Sequence, residues 1–198
     1  KSLAIGIPNF VTDSENTDRE YELRKTLGDL FERNSDARGG HVTSDPEKFY
    51  NLCMEMAMVR IARTRRGLRS GNYDLVFGYT SGLDLIGHVT HKHPRMQRGA
   101  YDELNEFVGE LRNDLEKDDC LILVSDHGLQ DGIHTSHAMI SASEGSLISN
   151  VESVTDVYDA ITQELKRGQH QKKSRGFSSN TIPPSDEVEQ HLKDLGYF

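Results

Sequence analysis

The sequence predicts an α/β fold, a three-layer sandwich around a mostly parallel sheet. Three observations point that way. Short β-prone runs alternate with longer segments of helical apolar spacing. One run, CLILVS at 120–125, is apolar without a break, as in strands covered on both faces. The chain has 198 residues, 35% hydrophobic and 28% charged, enough for a core in one domain of about 100–200 residues.

The elements follow in order. Residues 2–7 (SLAIGI) form a short strand stopped by Pro8. Residues 18–32 place Leu23, Leu27, Leu30 and Phe31 at helical spacing, and 33–45 read as a loop. Asp45-Pro46 then opens a helix, with Asp as N-cap and Pro in the first turn. It runs over 46–66, and Phe49, Leu52, Met56 and Val59 make it apolar on most sides. Arg60, Arg63, Arg65, Arg66 and Arg69 gather at its end. They either complement the helix dipole or include one that faces a substrate.

Residues 73–79 (YDLVFGY) form a second strand. Residues 96–117 give the cleanest amphipathic helix, through Tyr101, Leu104, Val108, Leu111 and Leu115. Asp118-Asp119 turns into the strand 120–125, and 138–143 (AMISAS) is a weaker fourth strand. Residues 151–166 form a further helix through Val154, Val157, Tyr158, Ile161 and Leu165. The domain organisation expected is therefore a folded portion at 1–166, a flexible linker at 167–185 and a tail helix at 186–198.

Composition excludes several classes. The net charge of −9 does not suit a nucleic-acid-binding face. No apolar run approaches the roughly 20 residues that span a bilayer. Cys53 and Cys120 each lie in apolar segments and read as small buried hydrophobes, and with no CxxC a cysteine zinc site is out. No signal peptide is visible, and the cytoplasm is the favoured compartment.

Chemistry concentrates where loops leave the strands. After YDLVFGY comes TSGLDLIGH, in which Asp84 and His88 share a helix face one turn apart. After CLILVS comes Asp126-His127-Gly128, where a sharp turn lets both side chains reach one place. His134 follows in GIHTSHA. Carboxylates and imidazoles together suit Zn²⁺, or Mn²⁺ with more oxygen ligands. Each piece alone has a structural alternative: Asp84 as a helix cap, His88 as a backbone-bonded core histidine, Asp-His-Gly as turn chemistry. Their conjunction favours a metal site.

Residues 73–143 resemble the C-terminal half of the alkaline phosphatase superfamily, closest to its type I phosphodiesterase/nucleotide pyrophosphatase branch. The motifs are DLIGH, VSDHGL and GIHTSHA, with looser likeness in AIGIP and LKDLGYF. The resemblance implies an alkaline phosphatase-like core and two divalent cations, zinc or manganese. Asp84, His88 and His134 would hold the first ion, and Asp126 and His127 would contribute to the second. It favours His134 over His137, because Thr135 directly follows. His91 and His93 are expected at the rim, and His41, His170 and His191 receive no role.

The implied activity is hydrolysis of a small phosphate ester by a Ser or Thr nucleophile. A further family Asp near the N-terminus and the nucleophile itself are not placeable. Asp13 lacks the context, and Thr80 and Ser81 stand where the family keeps no nucleophile. The chain is thus expected to be the C-terminal portion of a longer enzyme. The alternatives are a sulfatase or phosphoglycerate mutase-like member, or an inactive binding or structural remnant.

Overall fold

The computed structural model describes residues 1–6, 19–30 and 42–175. Strand β1 (Ser2–Ile5) is followed by helices α1 (Arg19–Leu30) and α2 (Pro46–Arg69), then β2 (Leu75–Gly78). Helices α3 (Gly82–Thr90) and α4 (Pro94–Asn113) lead to β3 (Ile122–Ser125), β4 (Gly128–Gln130), β5 (Ile133–Thr135) and β6 (Met139–Ala142). A 3₁₀ turn (Gly145–Ile148) and helix α5 (Asp156–Arg175) follow.

Helix α2 is the hub: it packs against α1, α3, α4, β1 and β2. Asp45 caps it, its carboxylate accepting the Lys48 amide at 3.0 Å, with Pro46 in the first turn. The buried core is built from Leu23 and Leu27 of α1, Phe49, Cys53, Met56 and Ala57 of α2, Ile86 and Val89 of α3, and Ala100 and Leu104 of α4. Fully burying a side chain such as Phe49 contributes about 1.5–3 kcal/mol. Gly67 lets α2 approach β1, since a Cβ there would stand 2.5 Å from Leu3 Cδ2.

The arginines at the end of α2 divide in role. Arg65 Nε donates to Asp114 Oδ2 at 2.6 Å and its Nη1 pairs with Glu110, while Arg69 Nη2 reaches Asp114 Oδ1 at 2.7 Å. They tie the C-terminal ends of α2 and α4 together. Arg60 is buried, and its guanidinium donates to the Tyr79 carbonyl at 3.2 Å, just past β2.

The mostly parallel central sheet that the sequence predicts is not seen among the described residues. The described strands form three two-stranded ladders: β1–β2 parallel, β3–β6 and β4–β5 antiparallel. The connections explain this. A parallel pair needs a crossover of a dozen or more residues, which α1 and α2 supply between β1 and β2. Strands β4 and β5 are joined by Asp131-Gly132 alone, with φ of 53° and 77°. Positive φ at both central residues belongs to a tight antiparallel hairpin. Residues 136–138 then return the chain to β3 in the antiparallel sense. Nor is β3 covered on both faces: Val124 is 45% exposed.

Other differences are local. On α4 the buried stripe runs through Ala100, Leu104 and Leu111, and Tyr101 stands outside it, 61% exposed. Cys120 is half-buried rather than buried. Helix α5 continues through Arg175, into the stretch read as a linker, because Gln, Lys and Arg there are good helix formers. Residues 176–185 and the tail helix expected at 186–198 lie outside the described residues, as do Ile7, Asp13, Phe31 and 33–41.

The chain divides into two units, Lys1–Thr162 and Gln163–Phe198. The first contains the described strands, α1–α4 and the candidate site. The described part of the second is the end of α5, where Arg167 pairs with Glu164 at 2.8 Å.

Candidate metal centre

The chain leaves β2 through Thr80 and Ser81 and turns into α3. Thr80 Oγ1 accepts the Gly82 amide at 3.2 Å, and Ser81 is the N-cap residue. Ile86 and Val89 point into the core. This orientation sends Asp84 and His88, on one helix face, towards the β4–β5 hairpin. Asp84 Oδ1 lies 3.2 Å from His88 Nε2.

The hairpin brings His134. Its Nε2 lies 3.0 Å from Asp84 Oδ1 and 2.9 Å from His88 Nε2. Three potential ligand atoms thus form a nearly equilateral triangle. Among the described residues, this is the group of His, Cys and carboxylate side chains that could hold a metal ion. His134, not His137, provides the ring nitrogen in it.

Hydrogen bonding sets the His88 ring. Its Nδ1 lies 2.7 Å from the Gly132 carbonyl, which can only accept, so Nδ1 carries the proton. In the neutral ring Nε2 then offers its lone pair to the triangle. His127 repeats the pattern, with Nδ1 donating to the Gly128 carbonyl at 3.1 Å. Its ring stacks on His134 with centroids 3.7 Å apart. His127 Nε2 lies 3.9 Å from Asp84 Oδ1 and 3.6 Å from Asp126 Oδ1. The Asp126 side chain is 79% exposed. Asp126 and His127 therefore stand beside the triangle as a looser pair.

The donor set fits a divalent cation. Around a tetrahedral zinc with bonds of about 2.0–2.1 Å, neighbouring ligand atoms stand about 3.3 Å apart. The triangle's edges of 2.9, 3.2 and 3.0 Å are shorter than this, the first by the most and the second only slightly. A single shared proton satisfies one edge at a time, whereas one cation satisfies all three. The His88–Gly132 bond is the kind of outer contact that holds a metal-binding imidazole in one tautomer.

Among the described residues, His91 and His93 stand apart from this group. His91 Nδ1 donates to the His88 carbonyl at 3.1 Å, so it braces the end of α3. His93 is the N-cap residue of α4. His41 and His191 lie outside the described residues. The β4–β5 hairpin is the feature the sequence reading passes over. Its signal is present, since Asp131-Gly132 between Leu129 and Ile133 is a strong two-residue hairpin cue.

An α/β domain that gathers a carboxylate and two imidazoles where a helix meets a β-hairpin defines a class, that of proteins with a candidate ligand site at that junction. The family profile of type I phosphodiesterase / nucleotide pyrophosphatase matches residues 8–172, and the chain belongs to that family. The resemblance carried by DLIGH, VSDHGL and GIHTSHA is thereby borne out. At the level of the family, the activity is phosphoester hydrolysis. No curated protein and no solved structure matches the chain. Among the described residues, no helix is long and apolar enough to cross a membrane.

Proposed function

We propose that this chain carries the metal-binding part of a phosphodiesterase or phosphatase acting on small phosphate esters, with zinc as the first ion. The observation that carries the reading is the triangle of Asp84 Oδ1, His88 Nε2 and His134 Nε2, in a chain of this family. Asp84, His88 and His134 are its first-ion ligands, and Asp126 and His127 are two ligands of a second ion. Zinc prefers four ligands, so the second ion needs others beyond these two.

A bound divalent ion would polarise a phosphoryl oxygen and offset charge as it develops in the transition state. The chain's own residues prepare for that. Asp84 brings negative charge to the triangle. His88, buried on its core side, presents one lone pair because Gly132 holds the opposite proton. His134 is more open, with its side chain 49% exposed. The nucleophile is not assigned to any residue of this chain.

The test is metal content after zinc loading and desalting, by elemental mass spectrometry. About one zinc per chain is expected, falling to near zero on Asp84→Asn or His88→Ala. Retention of full zinc by both variants would overturn the assignment.

A further inference from the structure

We infer that the β4–β5 hairpin is a positioning element for the donor triangle, seated on α3 at two points by Leu129 and Gly132. The affinity arm of its test rests on the metal reading above; the ring-tautomer arm does not.

The first seat is a notch. Gly87, buried on α3, lies between Asp84 and His88 in sequence. A Cβ built on Gly87 would overlap Leu129 Cδ2, so the Leu129 side chain occupies the space that any larger residue would fill. In the hairpin ladder Leu129 is the direct partner of His134. The seating of Leu129 on α3 therefore sets how far His134 stands from the helix face that carries Asp84 and His88.

The second seat is the hairpin turn. Gly132 has φ 77°, which glycine adopts freely and a β-branched residue does not. That conformation aims the Gly132 carbonyl at His88 Nδ1, 2.7 Å away. One seat fixes the position of His134 and the other fixes the tautomer of His88. Neither Gly87, Leu129 nor Gly132 contributes a side-chain donor to the triangle, so all three are positioning residues.

Two readouts test this in the full chain: Co²⁺ affinity from visible absorption, and the metal-free His88 tautomer from long-range ¹H–¹⁵N NMR. Gly87→Ala is expected to lower affinity about 10–100-fold, the usual range for outer contacts of a metal site, and to mix the His88 tautomers. Adding Leu129→Ala to that variant removes the overlap and should recover most of the loss. Gly132→Val should weaken binding similarly, whereas Gly132→Asn, which tolerates positive φ, should stay within about threefold of wild type.

If Gly87→Ala does not fold, the Gly132 pair decides alone. Equal affinity and equal tautomer in Gly132→Val and wild type would overturn the inference, as would a double variant no better than Gly87→Ala. If wild type takes up no Co²⁺, the metal reading fails while the tautomer readout still decides this one: an unaltered Nδ1–H signal in the folded Gly87→Ala and Gly132→Val variants would sink it.

Discussion

His88 Nε2 and His134 Nε2 face each other across 2.9 Å, the first from a helix and the second from a hairpin strand, 46 positions apart in the chain. Two imidazoles meet this way around a shared proton or a shared cation. The Asp84 carboxylate, 3.0 Å from His134 and 3.2 Å from His88, favours the cation by adding a third donor at the same point.

His134 and His137 can therefore be separated by affinity. Removing His134 deletes one corner of the triangle, and His134→Ala is expected to weaken zinc binding by about 100-fold or more, above the usual loss for an outer contact. His137 is exposed and outside the group, so His137→Ala should stay within about threefold of wild type. Competition against a chromogenic chelator measures both. The reverse order would move the site to His137.

The sequence made some of this legible, for physical reasons. Asp84 and His88 are readable because helical spacing alone puts residues four apart on one face, and α3 is that helix. Asp45-Pro46 is readable because capping is local chemistry, and α2 starts there. The convergence of His134 on α3 is a long-range relationship set by a notch at Gly87 and a carbonyl at Gly132, which no local pattern encodes. Strand direction is less legible for a related reason. The apolar run at 120–125 reports hydrophobicity but not partner direction, and direction is decided by the two-residue turn and short return that follow it.

Asp114 gives a pH dependence of known sign. Hydrogen bonds from Arg65, and then from Arg69, hold its carboxyl down to about 2. In the unfolded chain it returns to the ordinary carboxylate value of about 3.9. Between those values the unfolded state binds the extra proton, so this contribution is complete above the unfolded value and is lost as pH falls towards the folded one. Urea midpoints measured from pH 7 to pH 2 should fall more steeply for wild type than for Asp114→Asn, with the variant less stable at pH 7. Parallel curves would show that the tie between α2 and α4 adds nothing.

Cys53 and Cys120 should differ in reactivity. Burial pushes the Cys53 thiol up to about 12. At pH 8 the thiol form dominates, and the thiolate is the form that reacts. Cys120 is only half-buried. A disulfide reagent at pH 8 should thus label one cysteine per native chain quickly, and Cys120→Ser should abolish that phase. Two fast equivalents in native protein would contradict the burial of Cys53 in the core.

Asp126 tests the second ion separately from the first. Its carboxylate is 79% exposed and its nearest imidazole contact is His127 Nε2 at 3.6 Å, so the fold does not depend on it. Asp126→Asn preserves shape and should change stability by no more than about 0.5 kcal/mol. Because Asp126 is outside the triangle, the first equivalent of zinc should bind within about threefold of wild type. The second should weaken at least about tenfold, since a carboxamide is a poorer ligand than a carboxylate. In any form of the protein that turns over phosphodiesters, hydrolysis should be lost while the melting curve is retained. Near-normal turnover would remove Asp126 from the second site and leave His127, stacked on His134, as a brace for the first.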